Sequence, residues 1–72
     1  MKKAEGKLNK ILAKNLRVAR AEQNISQEEL AKRCGLHRTY VGAVERCERN
    51  ITLRTLELLA MGLNLDPLDL LA

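Results

Sequence analysis

The chain has 72 residues, 46% of them hydrophobic, and Tyr40 is its one aromatic residue. Such a length leaves room for a single small domain with a core of aliphatic side chains, which favours helices packed on helices. The net charge is +4, with 12 Lys/Arg and 6 Asp/Glu in residues 1–50 but 1 and 3 in residues 51–72. The basic part indicates a polyanionic partner, either nucleic acid or an anionic membrane, or else a merely solvated surface.

The sequence contains none of the motifs on which common enzyme mechanisms depend. It has no Gly-rich phosphate loop, no paired carboxylate site and no Ser/His/Asp set. Cys34, His37 and Cys47 are three soft ligands, whereas zinc sites usually use four with paired spacing. We therefore expect no catalysis, no metal and no cofactor. Two cysteines without a signal peptide or a membrane-spanning run predict a reduced, cytoplasmic protein.

Apolar periodicity predicts a first helix from Leu8 to Glu22. Residues 1–7 have little apolar surface to bury and are expected to form a flexible basic tail, whereas residues 8–72 form one domain. One arc of this helix carries the apolar side chains expected to face the core: Leu8, Ile11, Leu12, Leu16, Val18 and Ala19.

Two short helices follow. Ser26 and Glu29 have the spacing of a capping box, in which the hydroxyl and the carboxylate each accept a backbone N–H. This predicts a second helix over 27–34, closed by Gly35 in the left-handed conformation. A third helix is expected from Arg38 to Arg46, and the polar residues 47–50 after it form a loop.

The last third of the chain predicts two more helices. Thr52 is a cap for a fourth helix over 53–61, and Asp66-Pro67 begins a fifth because proline is favoured at the first helical position. No run of alternating apolar residues predicts a strand, so the expected fold class is all-α. The expected inward residues of the fourth helix are Leu53, Leu56, Ala60 and Leu63.

The second and third helices are joined by three residues beginning with Gly35, which is the spacing of a helix-turn-helix. A helical wheel places Tyr40, Val41 and Val44 on the packed side of the third helix. Arginines beside small residues on the other side suit a DNA groove, because a guanidinium can donate two hydrogen bonds to guanine. The residues expected to face outward are Arg38, Thr39, Gly42, Ala43 and Arg46.

From about Leu12 to Leu71 the sequence resembles the lambda-repressor-like, XRE-type DNA-binding domains. The residues that carry the resemblance are Ile25 to Ala31, Gly35, Tyr40-Val41 and Val44-Glu45-Arg46. The resemblance implies a compact five-helix domain whose third helix, the recognition helix 38–46, lies in the major groove of double-stranded DNA. It further implies a bacterial transcription regulator that operator binding holds at the nucleoid.

The resemblance, together with the wheel, assigns a role to individual residues. Arg20 and Glu45 match a buried or half-buried ion pair of the resembled fold, which we interpret as structural. Cys47 stands where similar proteins usually have glycine, so the left-handed turn there is expected to differ. Base reading is expected from Arg38, Thr39, Gly42 and Ala43. Contacts with the DNA backbone are expected from Ser26, Gln27, His37, Tyr40, Arg46, Arg49 and Asn50.

A narrower resemblance, carried by Gly35 to Tyr40 and by Glu45 to Ile51, is to the controller proteins of restriction–modification systems. Those controllers resemble phage repressors in both activating and repressing a promoter, with an acidic residue near the second helix touching the sigma subunit of RNA polymerase. Glu28 occupies a matching place and is a candidate activation contact. The resemblance implies control of a restriction–modification operon as activator or repressor.

The fourth and fifth helices carry more apolar residues than one core face uses, which predicts a symmetric homodimer. Two copies would bind half-sites about 34 Å apart on a palindromic operator. The residues expected at the interface are Leu58, Met61, Leu65 and Leu70.

Two other readings stay open from the sequence. The apolar C-terminal surface also fits an antitoxin-like interaction module that binds a toxin. Alternatively the first helix lies on a membrane surface, although it has no Trp or Phe anchor and its apolar face is needed in the core, so we expect no membrane partner. The cations of this second alternative are Lys3, Lys7, Lys10, Lys14 and Arg17.

Overall fold

A computed structural model describes residues 6–72 of the chain. Its elements are α1 (Lys7–Gln23), α2 (Gln27–Cys34), α3 (Arg38–Glu45), α4 (Leu53–Leu63) and a C-terminal 3-10 helix (Pro67–Leu71). The predicted all-α class is confirmed, and the expected fifth helix is a short 3-10 helix. Of the predicted N-terminal tail, residues 1–5 lie outside the described part, while Lys7 already begins α1.

The helices begin and end at the polar and glycine signals read from the sequence. The Ser26 hydroxyl accepts from the Glu29 N–H at 2.9 Å, and Gly35 closes α2 at φ 69°. The other half of the predicted capping box is replaced, because the Glu29 carboxylate pairs with Arg33 at 3.1 Å. Thr52 caps α4 through the Thr55 N–H at 3.1 Å.

Helix α4 continues two residues beyond the predicted end and includes Gly62. This glycine lies where α4 meets α2, and a Cβ atom built on it would overlap the sulfur of Cys34. The missing side chain therefore allows the two helices to approach closely. Glycine at this position reflects packing and does not end the helix.

One aliphatic core joins all five elements. Helix α1 packs on α3 and on the 3-10 helix, and α2 packs on α3 and α4. The largest fully buried side chains are Leu16, Leu30, Val41, Leu59, Leu63 and Leu70, so every element contributes at least one. Among residues 6–72, no helix is both long and apolar enough to cross a bilayer.

Some predicted inward residues are exposed. Leu8 and Val18 on α1 are exposed, and Leu53 is 80% exposed because it lies at the first position of α4, before the helix reaches the core. Ala13 and Leu59 are buried in the core, although neither was assigned to an inward face. Each wheel identified the correct side of its helix but placed the edges of the buried arc incorrectly.

The placement of Leu70 in a dimer interface is wrong. Its side chain is 1% exposed, because the 3-10 helix folds back onto α1 and inserts this residue into the core. The Asn15 side chain on α1 holds this arrangement by donating to the carbonyls of Leu70 at 2.9 Å and Ala72 at 3.2 Å. The packing of a terminal segment onto a distant helix has no local sequence signal.

Candidate nucleic-acid interface

The turn between α2 and α3 sets where the N-terminus of α3 projects. Leu36 donates its N–H to the Ala31 carbonyl at 2.9 Å, and His37 is the extended cap residue of α3. Nδ1 of His37 accepts from the Thr39 N–H at 3.1 Å. A neutral imidazole accepting at Nδ1 carries its proton on Nε2, so that N–H remains as a donor. The imidazole thus caps the helix with one nitrogen and keeps the other for a partner.

The N-terminal end of α3 is the open part of this helix. Arg38 and Thr39 are exposed, and Arg46 is exposed at the other end. These three residues lie on the surface as predicted, and Arg38 and Thr39 are adjacent at the tip that follows the turn. An arginine and a threonine at a projecting helix end are suited to contact base edges or phosphates.

Gly42 and Ala43 do not face outward, contrary to the prediction. Gly42 is buried beneath two side chains, since a Cβ built on it would lie 3.1 Å from Nη1 of Arg46 and 3.3 Å from Oε1 of Gln27. Ala43 is only 9% exposed, and its carbonyl accepts from the Glu48 N–H at 2.9 Å. A wheel of one helix omits both the long side chains that cross it and the loop that returns over it.

The loop after α3 has a left-handed turn at Cys47, although this residue is not glycine and the turn was expected to differ. Cys47 has φ 61°, and its N–H donates to the Val44 carbonyl at 3.0 Å. The Arg49 guanidinium lies 5.6 Å from the centre of the half-buried Tyr40 ring, within range of a cation–π attraction. Exposed Asn50 accepts from Asn9 of α1 at 2.9 Å. Cationic and amide groups thus line the surface beside the recognition helix.

The predicted ion pair between Arg20 and Glu45 is present and two-pronged. Nε and Nη2 of Arg20 donate to the two carboxylate oxygens of Glu45 at 2.6 and 2.8 Å. Gln27 donates to the same carboxylate at 2.9 Å, and Glu45 is 2% exposed. Side chains from α1 and α2 therefore meet at the last residue of α3. Gln27, expected at the DNA backbone, contributes to this internal network.

Two residues of this region were absent from the sequence-based site. The Arg17 guanidinium donates to the main-chain carbonyl of Glu45, one turn before Arg20 on α1. Asn9 joins α1 to the loop through Asn50. The three-residue spacing from Arg20 was a signal for Arg17, whereas nothing local indicated Asn9. Within residues 6–72, no three His, Cys, Asp or Glu side chains are grouped to hold a metal ion.

Residues 16–70 match a protein family described as Helix-turn-helix, and they include α2, α3 and the turn between them. The chain belongs to this family. It is 58% identical over 57 residues to the control protein C.SmaI of Serratia marcescens. The aligned part covers 79% of this chain and 68% of that protein. The XRE-type resemblance is thereby confirmed.

Two solved structures extend the comparison to the fold. The restriction–modification controller protein C.AhdI from Aeromonas hydrophila has a TM-score of 0.83 and 40% identity, covering 86% of this chain and 94% of that one. The controller protein C.Esp1396I, as a tetramer in complex with its natural 35 base-pair operator, has a TM-score of 0.85 and 33% identity. The match covers 92% of this chain and 87% of that one.

The ion pair perturbs the ionisation of both partners. Burial by itself raises the pKa of Glu45, but the hydrogen bonds from Arg20 and Gln27, with the charges of Arg20 and Arg17, outweigh it. The net result is a Glu45 pKa below its usual 4.5. The hydrogen bond to Glu45 likewise raises the pKa of Arg20. Both charged forms are therefore favoured in the folded protein.

Replacement of Glu45 by glutamine should weaken the pH dependence of the free energy of unfolding in the acidic range. Because the pKa of Glu45 is lower in the folded state, its contribution is present above pH 4.5 and is lost as pH falls through the folded pKa. At pH 7 we expect Glu45→Gln to lower the free energy of unfolding by about 3 kcal/mol, since Arg20 loses its charged partner. Urea unfolding from pH 7 to pH 3 should show this difference narrowing below pH 4.5.

Glu48→Gln is the matched control, because Glu48 pairs with Arg46 at the surface, where both side chains are about half exposed. Its effect at pH 7 should be below about 1 kcal/mol. A Glu45→Gln deficit that stays constant over the whole pH range would contradict the structural role of the charge.

Proposed function

We propose that this chain is a sequence-specific DNA-binding transcription regulator that binds a palindromic operator as a homodimer and controls a restriction–modification operon. The observation that carries the proposal is the projecting end of α3, with exposed Arg38 and Thr39, held in place by the buried ion pair of Glu45. The similarity to C.SmaI and to the operator-bound C.Esp1396I supports the restriction–modification assignment. Operator binding would hold the protein on DNA in the bacterial cytoplasm.

Base reading is assigned to Arg38 and Thr39. In the major groove an arginine donates two hydrogen bonds to O6 and N7 of guanine, and the threonine methyl group fits beside a thymine methyl. Both residues are in the first turn of α3, where the helix enters the groove in this kind of domain. Gly42 and Ala43 are withdrawn from base reading because their surfaces are covered.

Contacts with phosphates are assigned to the edges of the same surface. Ser26 and the first N–H groups of α2 form one anion-binding edge, and Nε2 of His37 can donate beside it. Arg46, Arg49 and Asn50 form the other edge, with Arg49 ordered over the ring of Tyr40. Such contacts supply affinity that depends on salt and is largely independent of sequence.

Replacement of Arg38 by alanine should relax sequence preference at one guanine of each half-site. A bidentate arginine–guanine pair contributes about 1–3 kcal/mol of discrimination, so we expect a 5- to 150-fold loss of preference there, on the order given by that range. Selection of bound sequences from a random DNA pool, for wild type and Arg38→Ala, measures this preference position by position.

The control is Arg33→Ala, which removes the same charge from the α4-facing side of α2, where Arg33 donates to the Gly62 carbonyl at 3.4 Å. Its selected sequences should match those of the wild type. If Arg38→Ala retains the wild-type preference at every base, Arg38 is not a reader.

We assign the dimer interface to the C-terminal end of α4 and the segment after it. Met61 is 66% exposed, and Leu65 and Leu68 are exposed as well. Leu58, predicted at the interface, is partly buried against the core and contributes only its outer edge. Burial of such apolar side chains between two copies would remove them from water.

Met61→Glu should shift the protein from dimer to monomer, because it places a charge in an apolar interface. Sedimentation velocity over a concentration series measures the shift. Leu53→Glu is the control, since Leu53 is exposed at the opposite end of α4. A wild-type chain that stays monomeric at all concentrations would contradict the homodimer and favour the antitoxin-like alternative.

Activation is assigned to Glu28. Its side chain is exposed in the first turn of α2, next to the proposed DNA surface, where an acidic group can meet a basic partner such as the sigma subunit of RNA polymerase. Glu28→Gln should reduce promoter activation severalfold in transcription with purified polymerase while operator affinity stays within about twofold, because a single solvent-exposed charge contributes little.

Glu22→Gln, an exposed change at the C-terminal end of α1, should leave both quantities unchanged. Normal activation by Glu28→Gln, or a loss of activation explained by weaker operator binding, would remove Glu28 from this role.

A further inference from the structure

The middle of α3 is crossed by two side chains from different elements. Gln27 reaches from α2 and Arg46 folds back from the end of α3, and both approach the point where Gly42 would carry its Cβ. Nη1 of Arg46 would lie 3.1 Å from that atom and Oε1 of Gln27 3.3 Å from it. These distances are shorter than ordinary van der Waals contacts, so a methyl group there requires a neighbour to move.

Each of the two side chains also contacts a carboxylate away from Gly42. Nε2 of Gln27 donates to the buried carboxylate of Glu45 at 2.9 Å. Nε of Arg46 lies 3.2 Å from the Glu48 carboxylate. The Arg46 guanidinium is therefore held between the Glu48 carboxylate and the bare helix surface at Gly42. Of the two side chains, Arg46 is the exposed one, and it has the greater freedom to move.

The backbone of α3 does not itself require glycine at this position. Gly42 lies inside a regular helix and is not among the described residues with positive φ. Glycine in a helix interior is less favourable than alanine, because it loses more conformational freedom on folding. The structure therefore accounts for Gly42 by the space above it and by the side chains that use that space.

We propose that Gly42 is a positioning residue: its missing side chain lets the Arg46 guanidinium lie against α3, in the place from which it contacts a DNA phosphate. This inference rests on the proposed function, and it gives Gly42 an indirect role in DNA binding. An added methyl group pushes the guanidinium outward by a few tenths of an ångström. The phosphate contact is then weakened although Arg46 is still present.

The experiment combines the two positions in a double-mutant cycle on the best sequence selected by the wild type. Operator affinity is measured for wild type, Gly42→Ala, Arg46→Ala and the double variant at four KCl concentrations, and melting temperature is measured for each. We expect Gly42→Ala to weaken binding about fivefold, within the range of coupled neighbours. It should also reduce the salt slope of binding by about one per protomer.

In the Arg46→Ala background we expect Gly42→Ala to have no further effect on affinity or on the salt slope. The melting temperature of Gly42→Ala should equal or exceed that of the wild type, because alanine is the better helix former and only flexible side-chain ends must move.

Two other glycines serve as matched controls. Gly6→Ala adds a methyl group at ordinary contact distance, 3.8 Å from its nearest neighbour, and should leave affinity unchanged and lower the melting temperature only slightly. Gly62→Ala places a methyl group on the sulfur of Cys34 and should lower the melting temperature. Gly6→Ala shows the effect of an added methyl group that meets no clash, and Gly62→Ala shows the effect of one that clashes in the core.

Three results would overturn the inference alone, given a wild type that selects a sequence. One is a Gly42→Ala protein with wild-type affinity and salt slope. Another is an equal loss with and without Arg46, since the methyl group would then block DNA directly. The third is a loss that accompanies a lower melting temperature. A wild type that enriches no sequence would refute the proposed function and the inference together.

Discussion

The arrangement of this domain depends on one buried carboxylate. Glu45 ends the recognition helix with 2% exposure, and its donors come from α1 and α2. A buried charge without such partners is strongly unfavourable, so the folded state is most stable when the three helices meet at this point. The direction in which α3 projects is therefore coupled to folding itself. A loss of the pair would affect the site even where the core stays packed.

The aliphatic core alone would specify this geometry less well. Leucine, valine and alanine side chains attract each other without direction, and a repacked core of similar volume can tolerate small shifts between helices. The two hydrogen bonds from Arg20 to Glu45 and the one from Gln27 do have direction. We infer that the ion pair supplies specificity of arrangement more than net stability.

The sequence predicted the features that depend on neighbouring residues. The caps at Ser26 and Thr52 and the closing glycine at position 35 have local physical causes, and the helices they delimit were predicted within two residues. The prediction of the ion pair between Arg20 and Glu45 came from the family resemblance. Predictions failed where side chains outside the helix decide exposure: Gly42 is covered by Gln27 of α2 and by Arg46 beyond the end of α3, and Leu70 is inserted by a segment that folds back. No single-helix pattern contains that information.

The contact between Tyr40 and Arg49 has a consequence for spectroscopy. Tyr40 is the one tyrosine of a chain that contains no tryptophan or phenylalanine. Its ring lies between the core and a cation beside the recognition helix. The near-ultraviolet aromatic signal of this chain therefore originates at a single position, next to the surface that we propose meets DNA. The fluorescence of Tyr40 therefore reports on this surface without an added label.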